Sequence, residues 1–147
     1  MIFILRIFRC ITQYTAAIDI WATGCILAEL ITRDPIFQGK SEGDQLFAIF
    51  NMIGSPSEQD YHEYSRRVPF DPKLFNDFPT VKREREDFSK QFVHFNDHEN
   101  LLDLLYKMFE YLPEKRISAS DAINHPFFDE IRPKYHELLQ NMQKRNC

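Results

Sequence analysis

The sequence predicts a mainly α-helical protein, and three observations support this fold class. Apolar residues recur at helical spacing in several separate segments. Serine residues that can cap a helix stand before two of these segments, and proline or glycine follows their ends. No segment shows the alternating apolar and polar pattern of a half-buried strand. With 147 residues, the chain has the size of one domain.

Composition excludes one class of partner. The chain is 44% hydrophobic and 27% charged, as expected of a folded globular protein, and its fourteen phenylalanines predict an aromatic core or an aromatic partner surface. The formal net charge of −4 lacks the basic excess that supplies most non-specific affinity for nucleic acid. We therefore expect no nucleic-acid partner. The oligomeric state is unknown from the sequence.

The cysteines and the N-terminal segment indicate the compartment. Cys10, Cys25 and Cys147 are too scattered for a disulfide framework, and none has metal-ligand spacing. The apolar segment 1–13, which has no evident origin, is interrupted by two arginines, so it predicts neither a membrane span nor a secretory signal. We expect an intracellular protein of the cytoplasm, the nucleus or both, with no membrane partner.

The first predicted helix covers residues 15–33. It contains no proline, Thr15 can cap its start, and the dipeptide Asp34-Pro35 stops it. Apolar side chains occupy almost every direction around this helix, which predicts burial on nearly all sides. Asp19 and the only tryptophan, Trp21, lie within this apolar segment.

A second, amphipathic helix is predicted after a loop at residues 37–40. Ser41 and Asp44 resemble a capping box, and the helix ends at Gly54. Its apolar face comprises Leu46, Ile49, Phe50 and Ile53. Residues 55–58, which contain Pro56, then predict the start of another short turn of helix.

Residues 68–96 are predicted to form a long irregular insert. This region carries prolines, phenylalanines and the charged run 82–87. The run mixes both signs, so it predicts a solvated loop face rather than a nucleic-acid contact. Loops of this length in a compact domain are often functional or are ordered by their own aromatic residues.

Three further helices complete the pattern. The first ends before Pro113, and its apolar positions are Leu101, Leu102, Leu104, Leu105, Met108, Phe109 and Leu112. Ser118 and Asp121 form a second capping-box variant, which opens a short helix that stops at His125-Pro126. Pro133 begins a final helix towards the basic C-terminal end.

A series of short motifs occurs in a fixed order along the chain. They are Tyr14-Thr15, Asp19-Ile20-Trp21, Gly24-Cys25, Leu27-Ala28-Glu29-Leu30, Pro35-Ile36-Phe37, Gly39-Lys40-Ser41, Asp44-Gln45-Leu46, Ile53-Gly54-Ser55-Pro56, Pro113-Glu114-Lys115-Arg116-Ile117-Ser118-Ala119 and His125-Pro126-Phe127-Phe128. In order and spacing they resemble the large lobe of the eukaryotic serine/threonine protein kinases. The resemblance implies a partial kinase-like fold: a helical C-terminal lobe without the N-terminal lobe, with a long irregular insert.

The insert refines this resemblance to one group of kinases. An extended insert between the same two helices is typical of the cyclin-dependent, mitogen-activated and glycogen synthase kinases, the CMGC group. The segments 78–81 and 88–92 resemble the glycogen synthase kinase version. The resemblance divides the chain into the apolar segment 1–13, a partial kinase domain at 14–128 and a C-terminal helical tail at 129–147.

The resemblance also implies four structural anchors. In the family, the residue matching Asp19 accepts backbone N–H groups of the catalytic loop, and the residue matching Trp21 packs beneath the substrate-binding segment. Gly24 permits close approach of a neighbouring backbone. The residue matching Arg116 pairs with a glutamate shortly before the central helix, yet segment 1–11 contains no acid. An unpaired buried Arg116 would cost about 3 to 5 kcal/mol.

The catalytic motifs of the family are missing from the sequence. Its four glycines cannot form a glycine-rich nucleotide loop, and no histidine is followed by arginine as in the catalytic loop. We therefore expect a chain that begins after the activation segment, has no catalytic residue, metal or cofactor of its own, and is inactive alone. In the intact family the cofactors are ATP and Mg²⁺, and the reaction transfers the γ-phosphate to serine or threonine.

A non-catalytic binding module is the alternative. In glycogen-synthase-kinase-like proteins, the groove between the second helix and the insert receives helical peptides of scaffold proteins. The matching positions are Leu46, Phe47, Phe75 and Phe78. A scaffold or regulatory protein is then the partner, whereas the simpler interpretation is that these phenylalanines hold the insert in place.

Other candidate sites have a simpler structural interpretation. Asp19 has no companion base nearby, which favours an anchor over a catalytic acid. His94 and His98 stand four apart, but they precede a helix as capping and surface groups rather than as metal ligands. Cys25 lies in an apolar helix without a positive neighbour, which favours core packing over nucleophilic chemistry.

Overall fold

A computed structural model describes residues 16–65, 80–82, 88–92, 98–135 and 137. Within these ranges the chain is helical and contains no strand, as predicted. The α-helices are α1 (Ala16–Thr32), α2 (Glu42–Ile53), α3 (Glu58–Ser65), α4 (His98–Met108) and α5 (Ala119–Ile123). Two 3₁₀ turns occur at Lys90–Phe92 and Pro126–Phe128.

The core forms where α1, α2 and α4 meet. Its main cluster of buried side chains comprises Trp21, Ala28, Ile36, Leu46, Ile49, Phe50, Phe88, Phe92, Leu101, Leu105 and Phe109. A second cluster joins α1 to α4 and α5 and comprises Ile20, Leu104, Met108 and Ala122. Because α1 and α4 contribute to both clusters, their packing joins α2 and α5 to the same core.

The predicted burial of α1 on nearly all sides is wrong. Ile20, Trp21, Gly24 and Ala28 are its buried residues, whereas Ile26 is 56% exposed and Leu30 74% exposed. The physical reason is that α4 and the aromatic cluster cover one side of the helix. An apolar sequence in every direction therefore does not ensure burial in every direction.

The end of α1 and both ends of α2 are formed as the sequence predicts. The last turn of α1 closes through a hydrogen bond of 2.8 Å from the Arg33 N–H to the Glu29 carbonyl, and Arg33 has a positive φ of 63°. At the start of α2, the Ser41 hydroxyl accepts the Asp44 N–H at 3.1 Å. Gly54 ends α2 with φ 88°, a conformation that glycine adopts without strain.

The short turn predicted at residues 55–58 is longer in the structure and forms α3. The Ser57 hydroxyl accepts the Asp60 N–H at 3.1 Å, and the Asp60 carboxylate accepts the Ser57 N–H at 3.3 Å. Lys115 also contacts Asp60, at 2.9 Å from Nζ to Oδ1, and so ties α3 to the loop after α4.

The helix predicted to end just before Pro113 ends earlier, at Met108. Phe109 still bonds to the Leu105 carbonyl at 2.9 Å, but the next carbonyls are used elsewhere. In a continued helix the Lys107 carbonyl would accept the Tyr111 N–H, but here it accepts the Ile117 N–H at 3.0 Å instead. Phe109 and Leu112 stay buried, as expected from their periodicity.

The capping box before α5 is confirmed. The Ser118 hydroxyl accepts the Asp121 N–H at 3.1 Å, and α5 then runs only to Ile123. A helical turn follows at residues 132–135, where the Tyr135 N–H bonds to the Ile131 carbonyl at 3.0 Å. Among the described residues, no helix has the length and apolar character needed to cross a membrane.

Candidate functional site

Trp21 lies at the centre of an aromatic cluster. Its ring centroid is 5.1 Å from that of Phe109, 6.1 Å from Phe37 and 6.2 Å from Tyr111. The Phe109 ring is edge-on and the Phe37 ring is stacked, which are the favourable arrangements for aromatic pairs. The cluster thus joins α1 to the loop that follows it and to the segment after α4.

Arg116 packs against this cluster and binds the backbone of two segments. Its guanidinium carbon lies 5.1 Å from the centroid of the Trp21 ring. Nη1 donates to the Ala17 carbonyl in the first turn of α1. Nε and Nη2 both donate to the Glu110 carbonyl, at 3.0 and 2.8 Å, and Nη2 also reaches the Tyr111 carbonyl at 3.4 Å.

Main-chain carbonyls therefore compensate for the burial of the Arg116 charge. Burial lowers the pKa of the guanidinium to about 10, while the carboxylates of Glu110 and Glu114 oppose this, so the group is protonated at neutral pH. No carboxylate among the described residues forms an ion pair with it. A buried cation needs hydrogen-bond acceptors such as these carbonyls, because desolvation of an unpaired charge would cost several kcal/mol.

Gly24 lies at a close contact between α1 and the C-terminal end of α4. A Cβ atom at this position would stand 3.0 Å from Cε1 of Phe109 and 3.1 Å from Cβ of Met108. Both distances are shorter than ordinary van der Waals contact, so a side chain here would push the two helices apart. The predicted close approach of a neighbouring backbone at Gly24 stays a prediction, because the nearest atoms belong to the side chains of Phe109 and Met108.

The side chains around Trp21 and Arg116 have the properties of a structural contact between α1 and the segment after α4, not of a reactive centre. Cys25 is the one free cysteine among the described residues, and its burial raises the thiol pKa to about 12. The thiol is therefore protonated at neutral pH and is a poor nucleophile. The described residues also contain no group of three or more histidine, cysteine or acidic side chains placed to hold a metal ion.

Half of the predicted peptide groove is described. Leu46 is buried in the core, whereas Phe47, the next residue of α2, is 44% exposed. Phe75 and Phe78 lie outside the described residues, as do the side chains of His94 and His98. The groove is therefore a prediction that rests on its α2 side.

Sequence reasoning missed a charged cluster between α4 and the second 3₁₀ turn. The Asp103 carboxylate accepts hydrogen bonds from Lys107 Nζ at 2.6 Å and from His125 Nε2 at 2.9 Å. His125 Nδ1 accepts the Phe127 N–H at 3.3 Å, which places the proton of a neutral ring on Nε2. The sequence showed His125 only as a helix stop, because its partner lies 22 residues away.

Two buried polar contacts near α2 were also missed. The Gln45 side chain accepts the Gly39 N–H at 2.8 Å and donates to the Phe37 carbonyl at 3.3 Å, so it holds the loop before α2. The Tyr111 hydroxyl donates to the Gly54 carbonyl at the end of α2. Neither contact has a local sequence signal, because each depends on the path of the chain.

Comparison with known families identifies the architecture. The model of the protein kinase domain matches residues 7–128, which is most of the chain. The chain belongs to the protein kinase family. The kinase match begins seven residues before the predicted boundary at residue 14, and the division into segment, domain and tail stays a prediction.

Several curated kinases are similar to this chain. It is 43% identical to Cyclin-dependent kinase 11 of Dictyostelium discoideum, with 80% of this chain and 31% of that kinase covered. It is 41% identical to Protein kinase gsk31 of Schizosaccharomyces pombe, with 82% and 30% covered. For Cyclin-dependent kinase B2-2 of Arabidopsis thaliana the identity is 39%, with 84% and 36% covered.

These kinases confirm the resemblance to the CMGC group of serine/threonine kinases. The chain spans about a third of the length of the curated relatives it matches. The match and the helical structure together confirm a partial, helical, kinase-like fold.

Asp19 differs most from what the kinase resemblance implies. Trp21 and Arg116 lie together, and Gly24 follows on the same side of α1, but the Asp19 side chain is exposed on the opposite side. No described residue donates a hydrogen bond to its carboxylate. Its role as an anchor for a catalytic loop stays a prediction. A carboxylate in the first turn of a helix is nevertheless favourable for the helix dipole.

Proposed function

We propose that this chain forms the helical base of a serine/threonine kinase large lobe and that it does not transfer phosphate by itself. In the family, the reaction moves the γ-phosphate of ATP to a protein serine or threonine. The parts of the fold that hold ATP and Mg²⁺ have no matching motif in this sequence. The chain therefore supplies structure to the lobe, while other parts of a kinase supply the chemistry.

One observation carries this proposal: kinase motifs run from residue 14 to residue 128, yet none of them is a nucleotide or catalytic-loop motif. Phosphoryl transfer depends on positioning and charge neutralisation by a glycine-rich cover, a lysine, a catalytic aspartate and metal-binding acids. Asp77-Phe78-Pro79 and Asp87-Phe88-Ser89 lack the glycine of the metal-binding triplet. A site without these groups has no means of stabilising the transferred phosphoryl group.

The geometry around Trp21 is consistent with a structural role. Arg116 connects residues 99 positions apart through the bond from Nη1 to the Ala17 carbonyl, while Nε and Nη2 bind the carbonyls of Glu110 and Tyr111. A group committed to three carbonyls and an aromatic face is not available to bind phosphate. What Arg116 provides is a fixed distance between α1 and the loop after α4.

Titration calorimetry of the purified 147-residue chain with magnesium-ATP tests the proposal. We expect no binding at micromolar nucleotide, and no phosphate transfer to a generic basic protein substrate. An intact kinase of the same group is the positive control for both measurements. Binding at micromolar concentration would refute the proposal, because it would require a nucleotide site that the sequence lacks.

A second candidate function is peptide binding at α2, and the exposure of Phe47 favours it. An aromatic residue that is 44% exposed beside a buried Leu46 is suited to anchor one face of a helical peptide. A pull-down with an amphipathic scaffold peptide should lose recovery with Phe47→Ala. Ile123→Ala, an apolar truncation at a position 67% exposed on α5, is the matched control. Equal recovery with both variants would refute this function.

A further inference from the structure

His125 is buried where α5 meets the second 3₁₀ turn, Pro126–Phe128, with 4% of its side chain exposed. Its Nε2 atom lies 2.9 Å from Oδ2 of Asp103 on α4. Its Nδ1 atom lies 3.3 Å from the main-chain nitrogen of Phe127 in the turn. The ring therefore contacts a helix through one nitrogen and the turn through the other.

Only one neutral form of the ring satisfies both contacts. The Phe127 N–H is a donor, so Nδ1 must accept, and the hydrogen of a neutral ring is then on Nε2, which donates it to Asp103. The other tautomer would place two donors against each other at Phe127 and would leave the Asp103 carboxylate facing a lone pair. The closed turn thus selects a neutral histidine with its hydrogen on Nε2.

Protonation changes one side of this ring only. An imidazolium still donates its Nε2–H to Asp103, but its Nδ1 now carries a hydrogen and cannot accept the Phe127 N–H. Two N–H groups then face each other across a contact that was a hydrogen bond. Because a buried N–H without an acceptor is unfavourable, a charged His125 is incompatible with the closed turn.

The charged groups on α4 act on the ring in opposite directions. The Asp103 carboxylate favours the imidazolium, whereas the Lys107 ammonium, whose Nζ lies 3.4 Å from Nε2, disfavours it. Lys107 also donates to Asp103 at 2.6 Å and so neutralises part of the charge of that carboxylate. The two charges on α4 therefore offset each other in part, and the Nδ1 contact with Phe127 decides how protonation affects the turn.

Charged groups from α5 and from the segment after the turn have partners of their own. Arg132 donates to the His125 carbonyl at 3.2 Å and forms an ion pair of 3.0 Å with Asp129. On α5, the Asp121 carboxylate accepts the Ser118 hydroxyl at 2.6 Å. These groups bind main-chain or side-chain partners rather than the ring nitrogens.

Opening of the turn would affect more than His125. Phe127 packs against both hydrophobic clusters, and Phe128 packs against the second. The turn is closed by two main-chain bonds of 3.0 Å, from the Phe128 N–H to the His125 carbonyl and from the Asp129 N–H to the Pro126 carbonyl. Loss of the Nδ1 contact therefore weakens a turn that holds two aromatic side chains on the core.

We propose that protonation of His125 opens the second 3₁₀ turn, which makes this turn a pH-sensitive switch in the helical lobe. At neutral pH the neutral ring holds the turn and joins it to α4. At acid pH the imidazolium remains bound to Asp103, while the turn opens and Phe127 and Phe128 leave the hydrophobic clusters. The switch does not depend on whether the chain binds ATP or peptide.

Amide hydrogen exchange followed by NMR tests the switch between about pH 8 and pH 5, the range over which histidine side chains ordinarily change charge. After correction for the intrinsic effect of pH on exchange, the N–H groups of Phe128 and Asp129 should lose protection at least about fivefold towards acid pH. One proton linked to opening changes the equilibrium by up to about tenfold per pH unit. The N–H groups of Leu104 and Leu105 in α4 should keep their protection.

The variant His125→Asn separates the ring from other titrating groups. The asparagine Oδ1 can accept the Phe127 N–H in place of Nδ1, but it takes up no proton in this pH range. Protection in the turn should therefore become independent of pH. His62→Asn, at an exposed histidine on α3, is the matched control and should leave the loss of protection unchanged.

The ring nitrogens of the wild-type chain provide a second measurement that needs no variant. At about pH 8, the ¹⁵N chemical shifts of His125 should show a hydrogen on Nε2 and none on Nδ1. Nδ1 should then become protonated over the same pH range in which the turn loses protection.

Four results would overturn the proposal. A hydrogen on Nδ1 at about pH 8 would mean that the ring does not accept the Phe127 N–H. A ring that stays neutral down to about pH 5 would mean that no switch operates in this range. Unchanged protection of a protonated chain would mean that the turn stays closed over the imidazolium. A His125→Asn variant that keeps the pH dependence would assign it to another group.

Discussion

At the scale of single residues, Arg116 shows how this fold holds a buried cation. Its guanidinium has a planar fork of donors, and the described contacts use it to bind carbonyls of two segments while the face rests on Trp21. The kinase resemblance implies a glutamate partner instead. Carbonyl partners provide much of the same compensation, because several oriented dipoles can solvate one charge.

Replacement of Arg116 by alanine should destabilise the chain by about 3 kcal/mol, since it leaves buried carbonyls without donors and removes packing from Trp21. Arg116→Lys should recover little of this, because one ammonium cannot bind both Ala17 and Glu110. Urea denaturation followed by circular dichroism measures both effects. Lys134→Ala, an exposed cation, is the control and should change stability by less than about 0.5 kcal/mol. If Arg116→Lys were as stable as the wild type, the planar set of guanidinium donors would not be what holds the two segments together.

Asp103 should make stability depend on acid pH. The hydrogen bond from Lys107 lowers the pKa of this carboxyl below its ordinary value of 3.8, and His125 acts in the same direction while partial burial opposes both. Because the folded pKa is below the unfolded one, the ionised group stabilises the fold above pH 3.8. This contribution is lost as the pH falls through the lower, folded value.

Asp103→Asn should therefore lower the free energy of unfolding at pH 7, and the difference from the wild type should disappear at an acid pH below the folded pKa of Asp103. We expect about 1 kcal/mol at most, because Asp103 and Lys107 are each more than a third exposed and water screens their attraction. Urea midpoints at the two pH values measure the difference. An equal difference at both values would show that the carboxylate charge is not responsible.

At the scale of elements, Gly24 sets the distance between α1 and α4. Glycine costs about 1 kcal/mol relative to alanine inside a helix, so a glycine here must be compensated by packing. The compensation is contact with Phe109 and Met108, which a Cβ atom would meet at 3.0 and 3.1 Å. Helix propensity and helix packing therefore oppose each other at this position.

Gly24→Ala should destabilise the chain by about 1 kcal/mol, because overpacking of 1 to 3 kcal/mol exceeds the gain in helix propensity. Gly24→Val should cost more, since it adds two further methyl groups at the contact. Thr23→Ala, at the exposed neighbouring position, is the control and should be neutral or slightly stabilising. Thermal melts measure the stability of all three variants. A Gly24→Ala variant more stable than the wild type would show that α4 shifts at little cost to accommodate the added methyl group.

At the scale of the whole molecule, α1, α2, α4 and α5 contribute buried side chains to two hydrophobic clusters, and α1 and α4 contribute to both. Trp21 contacts residues from the loop after α1 and the segment after α4, and its cluster extends to α2. The second cluster continues to α5 through side chains of α1 and α4. Helices that share buried side chains in this way are expected to unfold together.

The fluorescence of Trp21, the only tryptophan, should therefore report the same transition as far-UV circular dichroism. Leu105 is fully buried in the main cluster, so Leu105→Ala should lower the free energy of unfolding by about 2 to 5 kcal/mol. The unfolding midpoints seen by the two probes should therefore fall together. Leu30→Ala, at a mostly exposed position, should move neither by much. Separate transitions for the two probes would show that the helices do not unfold as one unit.

The sequence by itself determined where α2 begins and ends and where α5 begins. Ser41 and Ser118 cap their helices through contacts three residues away, and Gly54 ends α2, because caps and stops depend on neighbouring residues. The motif order also indicated the kinase family. Such signals are local, or they repeat a known pattern, so they are readable in one chain.

Only the tertiary structure decided which side of α1 is buried and how Arg116 is satisfied. The helix is apolar all round, so its periodicity cannot choose between the side of Trp21 and the side of Leu30. The Arg116 bond to Ala17 joins residues 99 positions apart, and no local rule relates them. Burial and long-range pairing depend on which surfaces the folded chain brings together, and that is fixed by packing rather than by neighbouring residues.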